Sequence, residues 1–190
     1  PLLAEPKGIY LPDDVEPYYP YQCLTWVQQY GITDNDLRAN KVVWSGSHQL
    51  LIFPYWEDAD RLTAWQGRNF GDVHSAKWYG RGNLEDVFAF KGAPSRELIL
   101  VEDVISAIVL GKTHQQSCPI FGSHVSDKRL TRLKPMIDHL TIWLDKDKAK
   151  EAHKFCKRAQ VIGFDARTVV TENDPKCYTP DEIKEILSEG

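Results

Sequence analysis

The sequence predicts an α/β fold, in which a doubly wound, mainly parallel sheet is preceded by a small mixed α+β N-terminal lobe. From residue 98 onward, short apolar runs alternate with amphipathic segments, which is the pattern of successive β-α-β units. Before that point, runs of β-branched and aromatic residues are separated by turns. The chain has 190 residues, of which 42% are hydrophobic, so it can bury a core. We predict the lobe over residues 1–96 and the α/β unit over residues 97–190.

The N-terminal lobe is predicted to begin with an extended segment. Residues 1–20 contain five prolines, which disfavour both a helix and an internal strand. A short helix is expected next, over residues 22–30. The following runs have strand character and are separated by turns at 46–47 and 58–60; they span residues 42–44, 49–54 and 62–68.

The C-terminal part is predicted to alternate four strands with four helices. Its apolar runs place the strands at residues 98–101, 119–121, 140–144 and 167–171. The helices are expected at residues 104–110, 127–133, 148–162 and 179–187. Gly111 and Gly163 are predicted to close the first and third of these helices. The last helix opens with a capping box, in which Thr179 is followed by Pro180 and then by Glu182.

Composition and charge narrow the classes of function. The net charge of −4 is not typical of a nucleic-acid-binding protein, yet residues 61–135 hold eleven basic against seven acidic side chains. A locally basic segment beside acidic residues is typical of an enzyme that binds phosphates through Lys and Arg and metal ions through carboxylates. A solvated charged surface would give the same counts. We find no apolar run of 18 residues and no leader pattern, so we expect no membrane association and a cytoplasmic location.

The cysteines argue against a structural zinc site. They are widely scattered and form no CxxC pair: Cys23, Cys118, Cys156 and Cys177. Two His–Cys pairs have suitable spacing, but the remaining ligands are missing. We therefore predict reduced thiols and no structural zinc in this chain. Because the sequence begins at Pro1 and its one methionine is Met136, we expect it to be part of a longer protein.

Acidic residues follow three of the predicted strands. In an open parallel sheet the ligand site lies beyond the carboxyl ends of the strands, where Glu102, Asp145 and Asp147 stand, with Asp174 after the fourth strand. Such a carboxylate cluster fits Mg²⁺ or Mn²⁺ and phosphoryl-transfer chemistry. A bare DxD is more often a turn or a helix cap, and Glu102 could be a solvated charge at a strand end. Their joint position at one sheet edge favours the metal site.

Four segments of the C-terminal part resemble a known family. ELILVEDVISA, PIFGS, IWLDKD and NDPK, in that order, are similar to the TOPRIM domain shared by bacterial primases, phage primase-helicases, topoisomerases and certain nucleases. The resemblance implies that Glu102, Asp145 and Asp147 bind Mg²⁺ and that Asp174 is an additional acid near the metal. One departure concerns the residues after Glu102. Primases there have a glycine and, four positions on from the glutamate, an aspartate, whereas this chain has Asp103 and Ser106.

The N-terminal lobe resembles that of the primases in particular. LLIFPYW, WQGRNF, AKWYG and FAFKG follow one another as the equivalent segments of a primase polymerase core do. The resemblance implies that Arg68, Lys77 and Lys91 contact the template backbone or the incoming nucleoside triphosphate. Lys148, at the start of the third helix, is predicted to join them, although a solvated helix face is the simpler reading. Taken singly, the other three could equally be surface cations.

The resemblance implies a DNA primase catalytic core, which synthesises short RNA primers on single-stranded DNA by Mg²⁺-dependent nucleotidyl transfer. The alternatives are a TOPRIM metal-dependent nuclease and a catalytically degenerate module that only binds nucleic acid. The implied partners are a single-stranded DNA template, NTPs, a helicase domain or protein, and a zinc-binding template-recognition module supplied from outside this chain. The form of EDVISA is closer to phage primases than to bacterial ones. Aromatic residues near the N-terminus could stack on template bases, but we expect core packing for most of them: Tyr18, Tyr19, Tyr21 and Trp26.

Overall fold

The computed structural model describes residues 8–57, 60–122 and 124–189, so part of the predicted lead-in and of the turn at 58–60 lies outside the described residues. The chain divides into two compact units between Val87 and Phe88. The sequence prediction put this division later, at residues 96 and 97. The intervening segment groups with the second unit because Lys91 and Ser117 exchange two backbone hydrogen bonds, of 2.8 and 3.0 Å.

The first unit contains a five-stranded antiparallel sheet in the order β1-β2-β3-β4-β5. Its strands are β1 Val15–Glu16, β2 Val43–Ser45, β3 Leu50–Trp56, β4 Leu62–Asn69 and β5 Trp78–Gly82. Its helices are α1 Tyr21–Gln28 and α2 Asp34–Ala39. The predicted helix and the three predicted strands are therefore confirmed to within a few residues. The sequence analysis missed α2, which Thr33 and Asp36 open with a capping box, and it missed β1 and β5.

The second unit contains a parallel sheet in the order β7-β6-β8-β9. Its strands are β6 Glu97–Val101, β7 Ser117–Pro119, β8 His139–Asp145 and β9 Asp165–Thr171. Its helices are α3 Val104–Lys112, α4 Asp127–Leu133, α5 Ala149–Ile162 and α6 Pro180–Ser188. The predicted α/β fold with alternating strands and helices is confirmed. Only the second strand is displaced, since β7 ends at Pro119 where the prediction began.

Local signals explain most of these helix ends. Gly163 closes α5 in the left-handed conformation with φ of 105°, and Thr179 opens α6 with the predicted capping box. Gly111 does not close α3, which continues to Lys112. Gly111 instead allows the backbone of α3 to lie close to the backbone at Gly92. A Cβ atom at Gly111 would lie 2.8 Å from the backbone nitrogen of Gly92.

The parallel sheet has apolar layers on both faces. Leu98, Leu100 and Ile142 pack in one cluster with residues of α4 and α5. The alternate residues Ile99 and Trp143 are also buried and point to the opposite face, because successive side chains alternate along a strand. No helix among the described residues is long and apolar enough to cross a membrane.

Candidate metal centre and flanking cations

Three carboxylates meet at the carboxyl edge of the parallel sheet. Glu102 follows β6, Asp145 ends β8, and Asp174 lies in the loop after β9. Each offers a carboxylate oxygen, and these oxygens lie within 4.8 Å of one another. β6 and β8 are neighbours whose connections leave in opposite directions along the sheet, so this is its switch point, where open α/β sheets bind their ligands.

Asp147 is not among these three residues. It lies in the 3₁₀ turn Lys146–Lys148, and its side chain is exposed. The strand ends at Asp145, so the two-residue alternation of an extended strand, which would aim both aspartates at one ion, stops before Asp147. Asp174 is the third acid of the cluster, and a metal role for Asp147 stays a prediction.

Two carboxylate oxygens of this cluster are buried without a hydrogen-bond partner among the residues that the structure describes. They are Oδ1 of Asp145 and Oδ1 of Asp174. An unsatisfied buried acceptor costs about 1–3 kcal/mol, more when it is charged. A hard divalent cation, which prefers oxygen ligands and keeps several waters, would satisfy both atoms. The donor set therefore fits Mg²⁺ or Mn²⁺.

Two lysines bring positive charge to the cluster. The Lys148 ammonium forms an ion pair with Glu102. The Lys176 ammonium donates to Oδ2 of Asp103 at 2.6 Å and to Oδ2 of Asp174 at 2.7 Å. Burial by itself lowers the pKa of Lys176, but attraction to Asp103 and the hydrogen bonds to both carboxylates outweigh it, so the pKa is raised above its usual range. Lys176 is therefore a fixed cation at neutral pH.

Asp103 has a second task at the start of α3. Its Oδ1 accepts hydrogen bonds from the backbone N–H groups of Ile105 at 2.9 Å and Ser106 at 3.0 Å, which caps the helix. Neither Asp103 nor Lys176 was singled out as a site residue from the sequence. An aspartate just before an apolar helical run is a recognisable cap signal, whereas nothing local indicates that Lys176 reaches it.

The loop that holds Asp174 is tied to the sheet. The Trp143 indole N–H donates to the Thr171 hydroxyl at 2.7 Å, and that hydroxyl donates to the Asn173 carbonyl at 2.7 Å. The Asn173 N–H in turn donates to the Tyr178 hydroxyl at 3.1 Å. These contacts fix the loop on both sides of Asp174, so the position of its carboxylate does not depend on a bound ion.

The loop after β7 supports the backbone at Glu102. The Gly122 N–H donates to the Glu102 carbonyl at 3.2 Å, and Gly122 has φ of 147°. The buried guanidinium of Arg129 donates to the carbonyls of Pro119 at 2.9 Å and Ile120 at 3.3 Å. A helix residue thereby fixes the start of this loop.

The predicted phosphate-binding residues of the first unit are next to one another. Arg68 is half-buried. Its guanidinium carbon lies 5.4 Å from the ring centroid of Trp26 and 5.6 Å from that of Phe70. The guanidinium also donates a hydrogen bond of 3.1 Å to the Lys77 carbonyl. Burial lowers the pKa of Arg68. Lys77 is exposed. Arg68 is thus packed in an aromatic cluster, while Lys77 presents its charge to solvent.

Lys91 and the N-terminal aromatic residues differ in exposure. Lys91, in the second unit, is half-buried, and burial lowers its pKa to about 8. Tyr19 is buried, but Tyr18 and Tyr21 are 63% and 84% exposed, so the expectation of core packing holds for Tyr19 and fails for the other two. Trp26 packs edge-on against Trp78 and Phe70.

The two units define a fold class: a TOPRIM-type parallel sheet with acids at its switch point, preceded by a unit built on an antiparallel sheet. Primase catalytic domains are among the solved structures with a similar fold. The chain is similar to the Aquifex aeolicus primase (zinc-binding and RNA polymerase domains), with a TM-score of 0.73 and 12% identity over 90% of this chain and 56% of that one. It is similar to the DnaG catalytic core, with a TM-score of 0.67 and 11% identity over 87% of this chain and 71% of that one.

A further likeness is to a DNA primase domain from Pseudomonas aeruginosa, with a TM-score of 0.58 and 18% identity, covering 80% of this chain and 57% of that one. The chain therefore spans little more than half the length of two of these three structures. No protein-family model matches the sequence, and no curated protein matches it in sequence. The likeness confirms the predicted fold.

Proposed function

We propose that this chain is the catalytic core of a DNA primase, which synthesises short RNA primers on a single-stranded DNA template. The observation behind the proposal is the meeting of Glu102, Asp145 and Asp174 at the switch point of a chain with the fold of primase cores. Three oxygen donors at or just beyond the ends of three separate strands fit a catalytic divalent cation better than a purely structural role.

The proposed chemistry is nucleotidyl transfer. When bound, Mg²⁺ would neutralise and orient the triphosphate of the incoming nucleotide. Glu102, Asp145 and Asp174 would hold the ion, and Asp147, exposed on the neighbouring turn, is proposed as a further acid of the site. The 3′ hydroxyl of the growing primer then attacks the α-phosphorus, and pyrophosphate leaves. No covalent intermediate with the protein is needed.

Basic residues are proposed to hold the nucleic acid and the nucleotide. Lys77 is exposed and Arg68 is fixed beside it, so we assign them to the template backbone. Lys91 and Lys148 belong to the same unit as the carboxylates, and we assign them to the triphosphate. A triphosphate would also offset the cost of charging the half-buried Lys91.

The proposed partners are NTPs and a single-stranded DNA template. One of the similar structures is the DnaG primase catalytic domain bound to ssDNA, with a TM-score of 0.67 and 11% identity. We further propose that a zinc-binding module and a helicase act with this chain. The similar Aquifex structure includes a zinc-binding domain, and this chain spans 56% of it.

A primer-synthesis assay tests the proposal. The protein is incubated with single-stranded DNA to which a short RNA primer is annealed, together with labelled NTPs and Mg²⁺, and the products are resolved by length. A primer is supplied because initiation would need the template-recognition module proposed to act with this chain. We expect elongation of the primer, which Asp145→Asn abolishes and chelator prevents. Asp165→Asn is the matched control, because Asp165 begins β9 and Asp145 ends β8, at opposite edges of the same sheet.

The same assay separates primase from nuclease. Shortening of the DNA strand, with no RNA product in the parent, would assign the centre to a nuclease. Binding of DNA with neither product would leave a module that only binds nucleic acid.

A further inference from the structure

Lys176 lies between Asp174 of the metal centre and the adjacent carboxylate of Asp103. Its ammonium lies 2.6 Å from Oδ2 of Asp103 and 2.7 Å from Oδ2 of Asp174. All three side chains are about one-fifth exposed, at 20%, 21% and 20% for Lys176, Asp103 and Asp174. The pair of contacts therefore lies largely out of water, where ion pairs are screened least.

Both partners of this ammonium are fixed by the backbone. Asp103 is held by the first N–H groups of α3, and the loop of Asp174 is held by the hydrogen bonds of Thr171 and Tyr178. Lys148 differs, because it reaches Glu102 from an exposed 3₁₀ turn and its side chain is 30% exposed. Lys176 is thus the better placed of the two lysines to stay in position when an ion arrives.

The charges of the cluster favour a single divalent ion. Four carboxylates belong to the cluster and its ion pairs, those of Glu102, Asp103, Asp145 and Asp174, and two ammonium groups pair with them, those of Lys148 and Lys176. Asp147 is not counted, because its side chain is exposed on the neighbouring turn and is not grouped with these carboxylates. At neutral pH this leaves two negative charges, which one divalent cation balances. A second divalent cation would have to enter a cluster with no remaining negative charge, at a Coulomb cost that low-dielectric surroundings increase.

We propose that Lys176 is a built-in cation that takes the place of one of the two metal ions common in phosphoryl-transfer sites. The centre then binds one divalent ion, at Glu102, Asp145 and Asp174, and the Lys176 ammonium supplies the second positive group beside it. Asp103 is the positioning residue, since it holds Lys176 while capping α3. This inference rests on the proposed function, because it assumes that the carboxylates bind a catalytic ion.

Counting bound Mn²⁺ in the absence of nucleotide tests the inference without any activity measurement. Free Mn²⁺ is followed by electron paramagnetic resonance during titration of the parent, Lys176→Met, Lys176→Gln and Lys146→Met. Lys146 is the matched control, since it stands at the same sheet edge but pairs with Glu172 outside the cluster. Circular dichroism in chelator checks that each variant is folded.

We expect one ion for the parent and for Lys146→Met, and two for Lys176→Met and Lys176→Gln. The first ion should bind at least about tenfold more tightly to the Lys176 variants, because the positive charge paired with its ligand Asp174 has been removed. Two ions in the parent, or one ion at unchanged affinity in the folded Lys176 variants, would overturn the inference and leave the primase proposal standing. No bound ion in the parent would instead refute the metal centre itself.

Discussion

Asp145→Asn should raise the melting temperature of the protein in chelator. Oδ1 of Asp145 is buried without a partner among the described residues, and the oxygens of Glu102 and Asp174 lie within 4.8 Å. Two like charges at 4.8 Å repel by roughly 3.5 kcal/mol at an effective dielectric constant of about 20. Lys148 and Lys176 neutralise much of the charge on these two neighbours, so we expect a net gain of about 1 kcal/mol from the substitution. For a chain of this size, that gain is about 2–4 °C.

Excess Mg²⁺ should reverse this order of stability. An ion present at about 100 times its Kd stabilises a one-site protein by about 2.7 kcal/mol. The parent should gain this stabilisation, and Asp145→Asn should lose most of it because a ligand is missing. Thermal unfolding followed by circular dichroism, in chelator and in excess Mg²⁺, measures both effects.

The control for this experiment is Asp165→Asn, which alters an exposed pair with His139 and should change stability by no more than about 0.5 kcal/mol in either buffer. A melting temperature for Asp145→Asn below that of the parent in chelator would mean that Asp145 is a structural residue. An unchanged response to Mg²⁺ would remove it from the metal centre.

Two further predictions concern the cations. Lys77→Ala should weaken binding of single-stranded DNA and reduce the slope of log K against log salt by about 0.7, since one phosphate contact is lost; an unchanged slope in fluorescence-anisotropy titrations would remove Lys77 from the template surface. The second prediction follows from the lowered pKa of Lys91, about 8 in the folded protein against about 10.4 in the unfolded chain. The folded state then favours the neutral amine of Lys91. Above about pH 10.4 the amine is neutral in both states and has no effect on the free energy of unfolding. As the pH falls from about 10.4 towards 8, the unfolded state binds the proton first, and the free energy of unfolding drops by up to about 3 kcal/mol. Lys91→Met should therefore be stabilised relative to the parent at pH 7 but not at pH 10.5, as measured by urea unfolding, and an equal difference at both pH values would contradict this origin.

The sequence predicted best those elements whose ends have local causes. Residues 127–133 were predicted as a helix and form α4, because Ser126 caps it and Pro135 follows it. The helix after Thr179 was predicted from its capping box and from Pro180 at its first position. α2 has an equivalent capping box at Thr33 but is only six residues long, with one buried residue, so its apolar periodicity is too short to recognise.

Elements that depend on tertiary contacts were predicted less well. Gly111 resembles a helix terminator in sequence, but its lack of a side chain is needed for contact with Gly92, which is distant along the chain. β5 contains two glycines, Gly80 and Gly82, which weaken the strand signal, and it forms by pairing with β4. A short segment of sequence does not indicate such pairings between strands.

The candidate site was predicted in part for the same reason. Glu102 and Asp145 directly follow or end apolar strands, so a local pattern located them. Asp174 stands three residues after β9, and only the hydrogen bonds of its loop bring it to the other two. The contact between Asp103 and Lys176 joins residues from opposite ends of the unit, and no sequence spacing indicates it.

The order of strands in the parallel sheet has a consequence for how this protein folds. The three acids stand at or just beyond the carboxyl ends of β6, β8 and β9, and these strands pair in parallel, so a crossover connection must form before each pairing. Contacts between residues distant in sequence form slowly, because the chain must first close long loops. The ion-binding centre can therefore exist only after β9 has paired, late in folding. During refolding, Mn²⁺ binding should therefore occur later than helix formation. The time course of Mn²⁺ binding would then measure how fast the parallel sheet is completed.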